Sequence, residues 1–222
     1  MTLFKQILAV LLCGLAIGAA ASPAAPVAGA EYVVLIEPQP AEQGKKVEVI
    51  EFFAYYCPHC NVLEPSLAAW VKKQGDNIAF KRVHVSRGPS VLPQQMLFFT
   101  LETMGLLEKF HQKVFDAMHV DRISLRTDET VMAWVARNGI DKARFTEIYN
   151  GVEVAAKVRR TDAMMGNYRV DYWPMLFVDG KYMTSAHEAS KNLEVPPPEA
   201  QQHANALMVM DFLVAKARSE KK

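Results

Sequence analysis

Two cysteines, Cys57 and Cys60, stand where an apolar run gives way to an amphipathic segment, in the stretch EFFAYYCPHC. The preceding run VEVIEFFAY is almost continuously apolar or aromatic, which is typical of a strand buried on both faces. The segment CNVLEPSLAAWVKKQ has apolar residues at helical spacing and stops at Gly75, and IAFKRVHV then restores β character. Residues 47–85 therefore predict a strand, a helix and a second strand, with the cysteine pair at the opening of the helix.

The first residues predict a cleavable secretory signal peptide. Lys5 supplies a positive charge, residues 7–17 form an apolar run, and small residues lead to a cleavage position after Ala21, with cleavage after Ala30 as the alternative. The run is too short to span a bilayer comfortably. Cys13 lies inside it without the small preceding residue that lipidation requires. We therefore expect an exported, soluble protein without a lipid anchor.

Cleavage of the signal peptide would remove Cys13 and leave Cys57 and Cys60. A disulfide stabilises an exported protein mainly by restricting a long loop of the unfolded chain, and a loop this short restricts little. The pair therefore indicates chemistry rather than a structural staple. Removal of Lys5 also leaves 24 basic and 24 acidic residues. This balance gives no indication of nucleic acid or an anionic surface as a partner.

Other uses of a cysteine pair fail on spacing. A c-type haem site needs a histidine directly after the second cysteine, and Asn61 stands there. A zinc site needs about four ligands, and no second cysteine or histidine pair has ligand spacing. We expect no metal and no bound cofactor. The scattered histidines are interpreted as surface or hydrogen-bonded core residues; they are His84, His111, His119, His187 and His203.

The chain after the second strand predicts a helical stretch and then a return to β structure. The helical segments are separated by glycines, and Thr127 and Asp141 are placed as helix N-caps. The glycines are Gly105, Gly139, Gly151 and Gly166. In MLFVDGKYMTS, the pair Asp179-Gly180 predicts a hairpin turn. A last amphipathic helix over about 201–217 should pack Leu207, Met210 and residues 212–214 against the sheet.

These boundaries predict a leader followed by one fold that is interrupted by an insertion. The expected regions are the signal peptide at 1–21, a first part of the main domain at 22–88, a helical insertion domain at 89–166, and the second part of the main domain at 167–222.

A βαβ unit with CxxC at the opening of its helix is the thioredoxin-like arrangement. Together with EFFAYYCPHC, the helical insertion and Pro174 before MLFVDGKY, it resembles the DsbA family, the periplasmic thiol:disulfide interchange proteins of Gram-negative bacteria. The resemblance spans essentially the whole chain after the leader. It implies an α/β thioredoxin fold, with a central mixed sheet, flanking helices and an inserted all-helical domain.

The resemblance also implies partners and a location. The partners are unfolded or newly exported cysteine-containing proteins, and a DsbB-type membrane oxidase linked to quinone that reoxidises the cysteines. The protein would be a periplasmic monomer.

The cysteines have different expected roles. Cys57 at the helix N-terminus is favoured as a thiolate by free N–H groups and the helix dipole, so it is the predicted nucleophile. Cys60, one turn further, should point inward and resolve the mixed disulfide. Pro58 costs no hydrogen bond in the first turn, and His59 can add positive charge beside Cys57; both favour the thiolate and a more oxidising pair. The alternative for His59 is an ordinary exposed residue.

Glu51 is an acid inside an apolar strand, six residues before Cys57. Burial would raise its pKa, and the resemblance implies that it exchanges protons near Cys60. The alternative is that Glu51 reaches solvent or pairs with a lysine.

Pro174 matches the family's cis-proline, which faces the disulfide and presents the backbone of the preceding residue to a substrate strand. That preceding residue is usually valine or threonine in the family, and here it is Trp173. A bulky indole would narrow access to Cys57. The alternative is that Trp173 packs in the core of a shifted loop.

The sequence thus predicts a thiol:disulfide oxidoreductase that donates a Cys57–Cys60 disulfide to exported proteins through a mixed disulfide. Two alternatives stay open. One is a specialised oxidase, isomerase or reductase with few substrates, and the other is a non-catalytic thioredoxin-fold module that binds unfolded chains.

Overall fold

The computed structural model describes residues 22–41 and 44–221, so the predicted signal peptide lies outside the described residues. Within them the chain forms one mixed sheet of five strands in the order β1-β5-β4-β2-β3. The strands are β1 Val33–Val34, β2 Val47–Phe53, β3 Ile78–His84, β4 Met175–Val178 and β5 Tyr182–Thr184.

Seven α-helices occur in the same described residues. They are α1 Pro58–Gln74, α2 Leu92–Thr103, α3 Leu107–His119, α4 Asp128–Arg137, α5 Lys142–Tyr149, α6 Val152–Tyr168 and α7 Glu199–Glu220. None of them is both long and apolar enough to cross a membrane.

Strand β2 is the centre of the sheet. It pairs in parallel with β3 and antiparallel with β4, which places Glu51 beside Arg82 on one side and Leu176 on the other. Every residue of β2 is buried, because helices cover both faces of the sheet. The predicted mixed sheet with flanking helices is confirmed.

The two faces of the sheet have separate apolar cores. Helices α1 and α7 cover one face, where Leu67, Trp70 and Leu213 pack against Val49 and Val178. Helices α2 to α6 cover the other face. The core there includes Phe52, Phe98, Phe115, Phe145 and Phe177.

The predicted helix starts at Thr127 and Asp141 are confirmed. The Thr127 hydroxyl accepts a hydrogen bond from the Thr130 N–H, and the Asp141 carboxylate accepts from the N–H groups of Ala143 and Arg144. These short-range bonds satisfy donors that the first helical turn leaves free.

The expectation that Gly166 ends the preceding helix is wrong, because α6 continues to Tyr168 and ends at Arg169, whose φ is 53°. A glycine inside a helix costs only about 1 kcal/mol relative to alanine, and the contacts of the buried Tyr168 ring with Phe52 and Phe177 favour the two extra residues.

The hairpin between β4 and β5 has the predicted turn. Asp179 and Gly180 both have positive φ, 52° and 63°, as a type I′ turn requires. A side chain at Gly180 would collide with the Gln39 carbonyl, so the position also needs glycine for lack of space. The turn fixes the antiparallel pairing of β4 with β5, and β4 begins at Met175, directly after Pro174.

The last helix is longer than predicted at both ends. Its residues Met210, Leu213 and Val214 face the sheet as expected, whereas Phe212 is partly exposed. The extension at its start brings Glu199 next to α1.

Candidate active site

Cys57 is the N-cap of α1 and has extended backbone dihedrals, with Pro58 at the first helical position. Its sulfur accepts a hydrogen bond from the Cys60 N–H at 3.4 Å, and its thiol donates to the Trp173 carbonyl oxygen at 3.6 Å. Both cysteines are free thiols here, and both are buried. The sulfur therefore lies between the helix N-terminus and a carbonyl supplied by a loop 116 residues further along the chain.

The surroundings of the two sulfurs move their pKa values in opposite directions. The hydrogen bond from the Cys60 thiol, helped by the backbone N–H groups of Cys60 and His59 and by the His59 charge, outweighs burial and lowers the pKa of Cys57 to about 7. Burial, followed by the contact with Cys57, raises the pKa of Cys60 well above its usual range. The pair can hold a thiolate at Cys57 and a thiol at Cys60.

His59 has a partner that the sequence did not indicate. Its Nδ1 lies 2.6 Å from the Glu199 carboxylate, at the first residue of α7 and 140 residues away in the chain. This contact raises the pKa of His59. The two side chains remain 64% and 43% exposed, so solvent screens the pair. His59 is exposed, as the alternative interpretation expected, and it is also ion-paired with Glu199.

Glu51 lies behind the cysteines and is 1% exposed. Its partner is Arg82, with 3.2 Å between Oε2 and Nε, so it neither reaches solvent nor pairs with a lysine. Burial has the largest effect and, with the negative charge of Glu64, outweighs Arg82 and raises the pKa of Glu51 to about 8. The side chain is therefore mostly protonated at pH 7. When it ionises, its negative charge opposes the thiolate forms of Cys57 and Cys60.

Three further groups behind the site, Arg82, Glu64 and His111, were not predicted from the sequence. Arg82 Nη2 lies 2.7 Å from Glu64 Oε1, and His111 Nε2 lies 3.4 Å from Glu64 Oε2. Glu64 follows Cys60 by four residues, so the helical period already places both on one face of α1. That spacing is a signal for an acid beside Cys60, whereas nothing local indicates Arg82 or His111.

The predicted cis-proline is confirmed, since the Trp173–Pro174 peptide bond is cis. The Trp173 ring is half-buried at the edge of the core and is not part of its interior. Its ring centre lies 6.1 Å from that of Tyr56 at an interplanar angle of 89°, and the Arg87 guanidinium lies 5.5 Å from its ring centre. The indole therefore forms a wall beside the Cys57 sulfur.

Two cavities open beside Trp173. One of about 280 Å³ is lined by Pro174, His59, Glu199 and His203, and the other of about 270 Å³ by Cys57, Tyr56 and Arg87. Both include Trp173 in their lining. The indole therefore lines the cavity that contains Cys57 and also a neighbouring cavity that Cys57 does not line.

The histidines other than His59 are the next candidates for metal ligands. Within residues 22–41 and 44–221, no group of three or more histidine, cysteine, aspartate or glutamate side chains is arranged to hold a metal ion. His84, His111 and His203 are buried core residues.

Comparison with known proteins gives consistent matches. A family model described as a DSBA-like thioredoxin domain matches residues 88–194, and one described as thioredoxin matches residues 39–98. The thiol:disulfide interchange protein DsbA of Burkholderia cepacia is 38% identical over 221 residues, covering 98% of this chain and 99% of the relative. That of Azotobacter vinelandii is 35% identical, covering 97% and 98%.

Solved structures agree with this result. The crystal structure of Pseudomonas aeruginosa DsbA superposes with a TM-score of 0.72 at 32% identity, covering 86% of this chain and 96% of that one. DsbA from Xylella fastidiosa gives a TM-score of 0.75 at 26% identity, covering 87% and 98%.

A thioredoxin fold that holds a reactive cysteine pair at a helix N-terminus, with relatives of this kind, defines a thiol:disulfide oxidoreductase. The chain belongs to the DsbA family of thiol:disulfide interchange proteins. The resemblance seen in EFFAYYCPHC, in the helical insertion and at Pro174 is thereby confirmed.

Proposed function

We propose that this chain is a periplasmic dithiol oxidase that donates a Cys57–Cys60 disulfide to newly exported, cysteine-containing proteins. The observation that carries the proposal is the asymmetry of the pair. Cys57 lies at a helix N-terminus facing the Trp173 carbonyl and has a lowered pKa, whereas Cys60 is buried and has a raised one. The leader at residues 1–21 supports export to the periplasm.

The first step is attack of a substrate thiolate on the Cys57 sulfur. A bond forms between the substrate sulfur and Cys57, the Cys57–Cys60 bond breaks, and Cys60 leaves as a thiolate. Because the pKa of Cys60 is raised, this thiolate takes up a proton readily. Glu51, neutral at pH 7 with a pKa of about 8, supplies that proton.

The second step releases the product. A second substrate thiolate attacks the substrate sulfur of the mixed disulfide, and Cys57 leaves as a thiolate that the helix N-terminus stabilises. Two electrons have then passed from the two substrate thiols to the cysteine pair. A DsbB-type membrane oxidase removes them to quinone and restores the disulfide, with Glu51 accepting the Cys60 proton.

Trp173 and Pro174 are proposed to hold the substrate strand. The Trp173 carbonyl already accepts from the Cys57 thiol, which shows that its backbone is within reach of the reacting sulfur. An extended substrate segment pairs with this backbone, so recognition depends little on substrate sequence. The protein is proposed to act as a monomer, without a bound cofactor.

One observation favours a narrower variant of this function. The Trp173 indole lines the cavity of about 270 Å³ that contains Cys57, which limits the bulk that can approach the sulfur. A specialised oxidase with few substrates is therefore the second candidate. Oxidation rates of several unrelated reduced proteins distinguish the two candidates. Similar rates indicate the general oxidase, and widely different rates indicate the specialised one.

The test is the redox potential of the Cys57–Cys60 pair, measured by equilibration in glutathione buffers, together with urea unfolding of the reduced and oxidised forms. We expect a potential more oxidising than that of thioredoxin, about −270 mV, and a reduced form that is the more stable. We also expect the oxidised protein to form disulfides in a reduced, unfolded protein. A potential equal to that of thioredoxin, or oxidation that persists in Cys57→Ser, would contradict the proposal.

A further inference from the structure

A row of buried polar side chains leads from Glu51 through Arg82 and Glu64 to His111 and Tyr55. Each has a polar neighbour in the row, and the side chains are almost inaccessible to solvent. The inner half of the row, His111 on α3 and Tyr55 before α1, has no part in the oxidation steps described above.

The contact at the inner end of the row determines which nitrogen of His111 carries a proton. The Tyr55 hydroxyl lies 2.9 Å from His111 Nδ1. Burial raises the pKa of Tyr55 well above its usual range, so the phenol keeps its proton and donates it to Nδ1. Burial also lowers the pKa of His111, which is therefore neutral and carries its proton on Nε2.

The protonated Nε2 faces the carboxylate of Glu64. The distance from His111 Nε2 to Glu64 Oε2 is 3.4 Å, which is a polar contact longer than a hydrogen bond, and neither atom has a hydrogen-bond partner among the described residues. Oxygen Oε1 of Glu64 is held by Arg82 at 2.7 Å. Glu64 thus accepts a hydrogen bond at Oε1 and has the His111 N–H within 3.4 Å of Oε2. Although burial favours its neutral form, contacts with His111 and Arg82 lower the pKa of Glu64.

Arg82 is shared between two carboxyl groups. Its Nη2 is close to Glu64, whereas its Nε approaches Glu51 at the longer distance of 3.2 Å. The buried row therefore contains one permanent cation and two carboxyl groups, and one proton remains to be placed. It resides on the carboxyl group with the poorer set of donors, which is Glu51.

We propose that His111 is a positioning residue that, held by Tyr55, keeps Glu64 ionised and so leaves the shared proton on Glu51, next to Cys60. The proposal rests on the function proposed above for Glu51. In this proposal His111 determines which of the two carboxyl groups carries the proton, although its imidazole contacts neither cysteine nor the substrate.

Other charged or titratable groups face the row and act in the background. Glu108 on α3 acts on His111, and Glu102 on α2 acts on Tyr55, both through their charges. His84 on β3 accepts from the Tyr55 N–H at 3.1 Å, and His119 contacts the Tyr55 carbonyl at 2.8 Å. These last two contacts involve only the backbone of Tyr55, so its hydroxyl can bind His111.

The test measures the titration midpoint of Glu51 by carboxyl ¹³C NMR of the intact reduced protein. Glu51→Gln identifies the signal. We expect a midpoint near 8 that falls by at least one pH unit in His111→Leu, because the proton is then shared with Glu64. His111→Gln keeps an N–H donor towards Glu64 and should recover part of the shift.

Two further variants separate this role from a loss of packing. Val114→Ala removes a buried side chain from the same helix and should leave the Glu51 midpoint unchanged. Tyr55→Phe removes one oxygen and should lower the midpoint by less than His111→Leu does. An unchanged Glu51 midpoint in folded His111→Leu overturns the proposal, as does an unchanged midpoint in Tyr55→Phe if the leucine variant does not fold.

The readout is an equilibrium titration and needs no thiol exchange. An unchanged midpoint would therefore overturn the role of His111 and leave the oxidase function intact. Oxidation activity that persists in Cys57→Ser would overturn the oxidase function whatever the Glu51 midpoint is.

Discussion

The two sides of the cysteine pair contain the same kinds of groups in very different surroundings. The front of the site consists of Cys57, His59, Trp173 and Glu199, and the rear consists of Cys60, Glu51, Arg82, Glu64 and His111. The ion pair at the front measures 2.6 Å and the shorter one at the rear 2.7 Å. The front side chains are 64% and 43% exposed, whereas both rear side chains are 7% exposed.

This difference in exposure decides what each side can do. Solvent screens the charges at the front, so they influence Cys57 weakly and can be rearranged when a substrate arrives. Charges at the rear interact at low effective dielectric, and their protonation states depend strongly on one another. The front is suited to binding a peptide, and the rear to storing a proton.

The largest effect expected is the difference between the two serine variants. Cys57→Ser should reduce the rate of disulfide formation in a reduced, unfolded protein on the order of a thousandfold or more, because the attacked sulfur is lost. Cys60→Ser cannot form the internal disulfide but retains a reactive Cys57, so it should accumulate a covalent adduct with an activated substrate disulfide. Non-reducing gels check this, and equal adduct formation by both variants would contradict the division of roles.

Replacement of the rear acid should stabilise the reduced protein. The folded pKa of Glu51, about 8, lies above the value of 4.5 for a free side chain. Its stabilising contribution is therefore full below pH 4.5 and is lost as the pH rises to about 8. We expect Glu51→Gln to raise the free energy of unfolding at pH 7 by roughly 1 to 3 kcal/mol and to have little effect at pH 4.

Urea unfolding of the reduced protein at the two pH values measures this change. Glu199→Gln at the front is the matched control, with an expected change within about 0.5 kcal/mol at either pH. A stabilisation by Glu51→Gln that is equal at pH 4 and pH 7 would show that Glu51 does not hold a proton in the folded state.

Replacing the Trp173 indole with a smaller side chain should change substrate access without changing the pKa of Cys57. Trp173→Val keeps the backbone carbonyl that faces Cys57, so the pKa of Cys57 should not move. Oxidation of proteins with bulky residues beside the cysteine should become faster, on the order of fivefold, relative to a short glycine-flanked peptide. Stopped-flow rates for the two substrates test this, and an equal change for both would argue against a steric role.

The smallest effect expected is on the front ion pair. Glu199→Gln should lower the pKa of His59 and, through the weakened positive charge, raise the pKa of Cys57 by less than about half a unit. Thiolate absorbance against pH measures it, and the difference from the parent protein should shrink at 1 M salt. A larger shift that is insensitive to salt would mean that the front is no better screened than the rear.

Local features of this molecule could be predicted from the sequence. The start of α1 at the cysteine pair, the N-caps Thr127 and Asp141 and the turn at Asp179-Gly180 depend on residues within a few positions of one another. Such interactions leave a recognisable pattern in the chain. The thioredoxin fold was predicted from the order of strands and helices and from the motif EFFAYYCPHC.

The rear of the site could be predicted only in part. Glu51 was visible as an acid in an apolar strand, and Glu64 could have been found from its four-residue spacing after Cys60. Arg82 lies in an adjacent strand and His111 on a helix of the other layer, so only the tertiary packing brings them to Glu64. Glu199 reaches His59 in the same way, because α7 begins earlier than its apolar pattern indicates.

The distance in sequence between Cys57 and the carbonyl that faces it has a consequence for biosynthesis. The motif is made early, whereas Trp173, Pro174 and Glu199 are among the last fifty residues of the chain. During synthesis the cysteines therefore exist as an ordinary dithiol while residues 61–173, about half of the chain, are made. The mature chemistry of the site becomes available only when the molecule is almost complete, which ties redox activity to a finished fold.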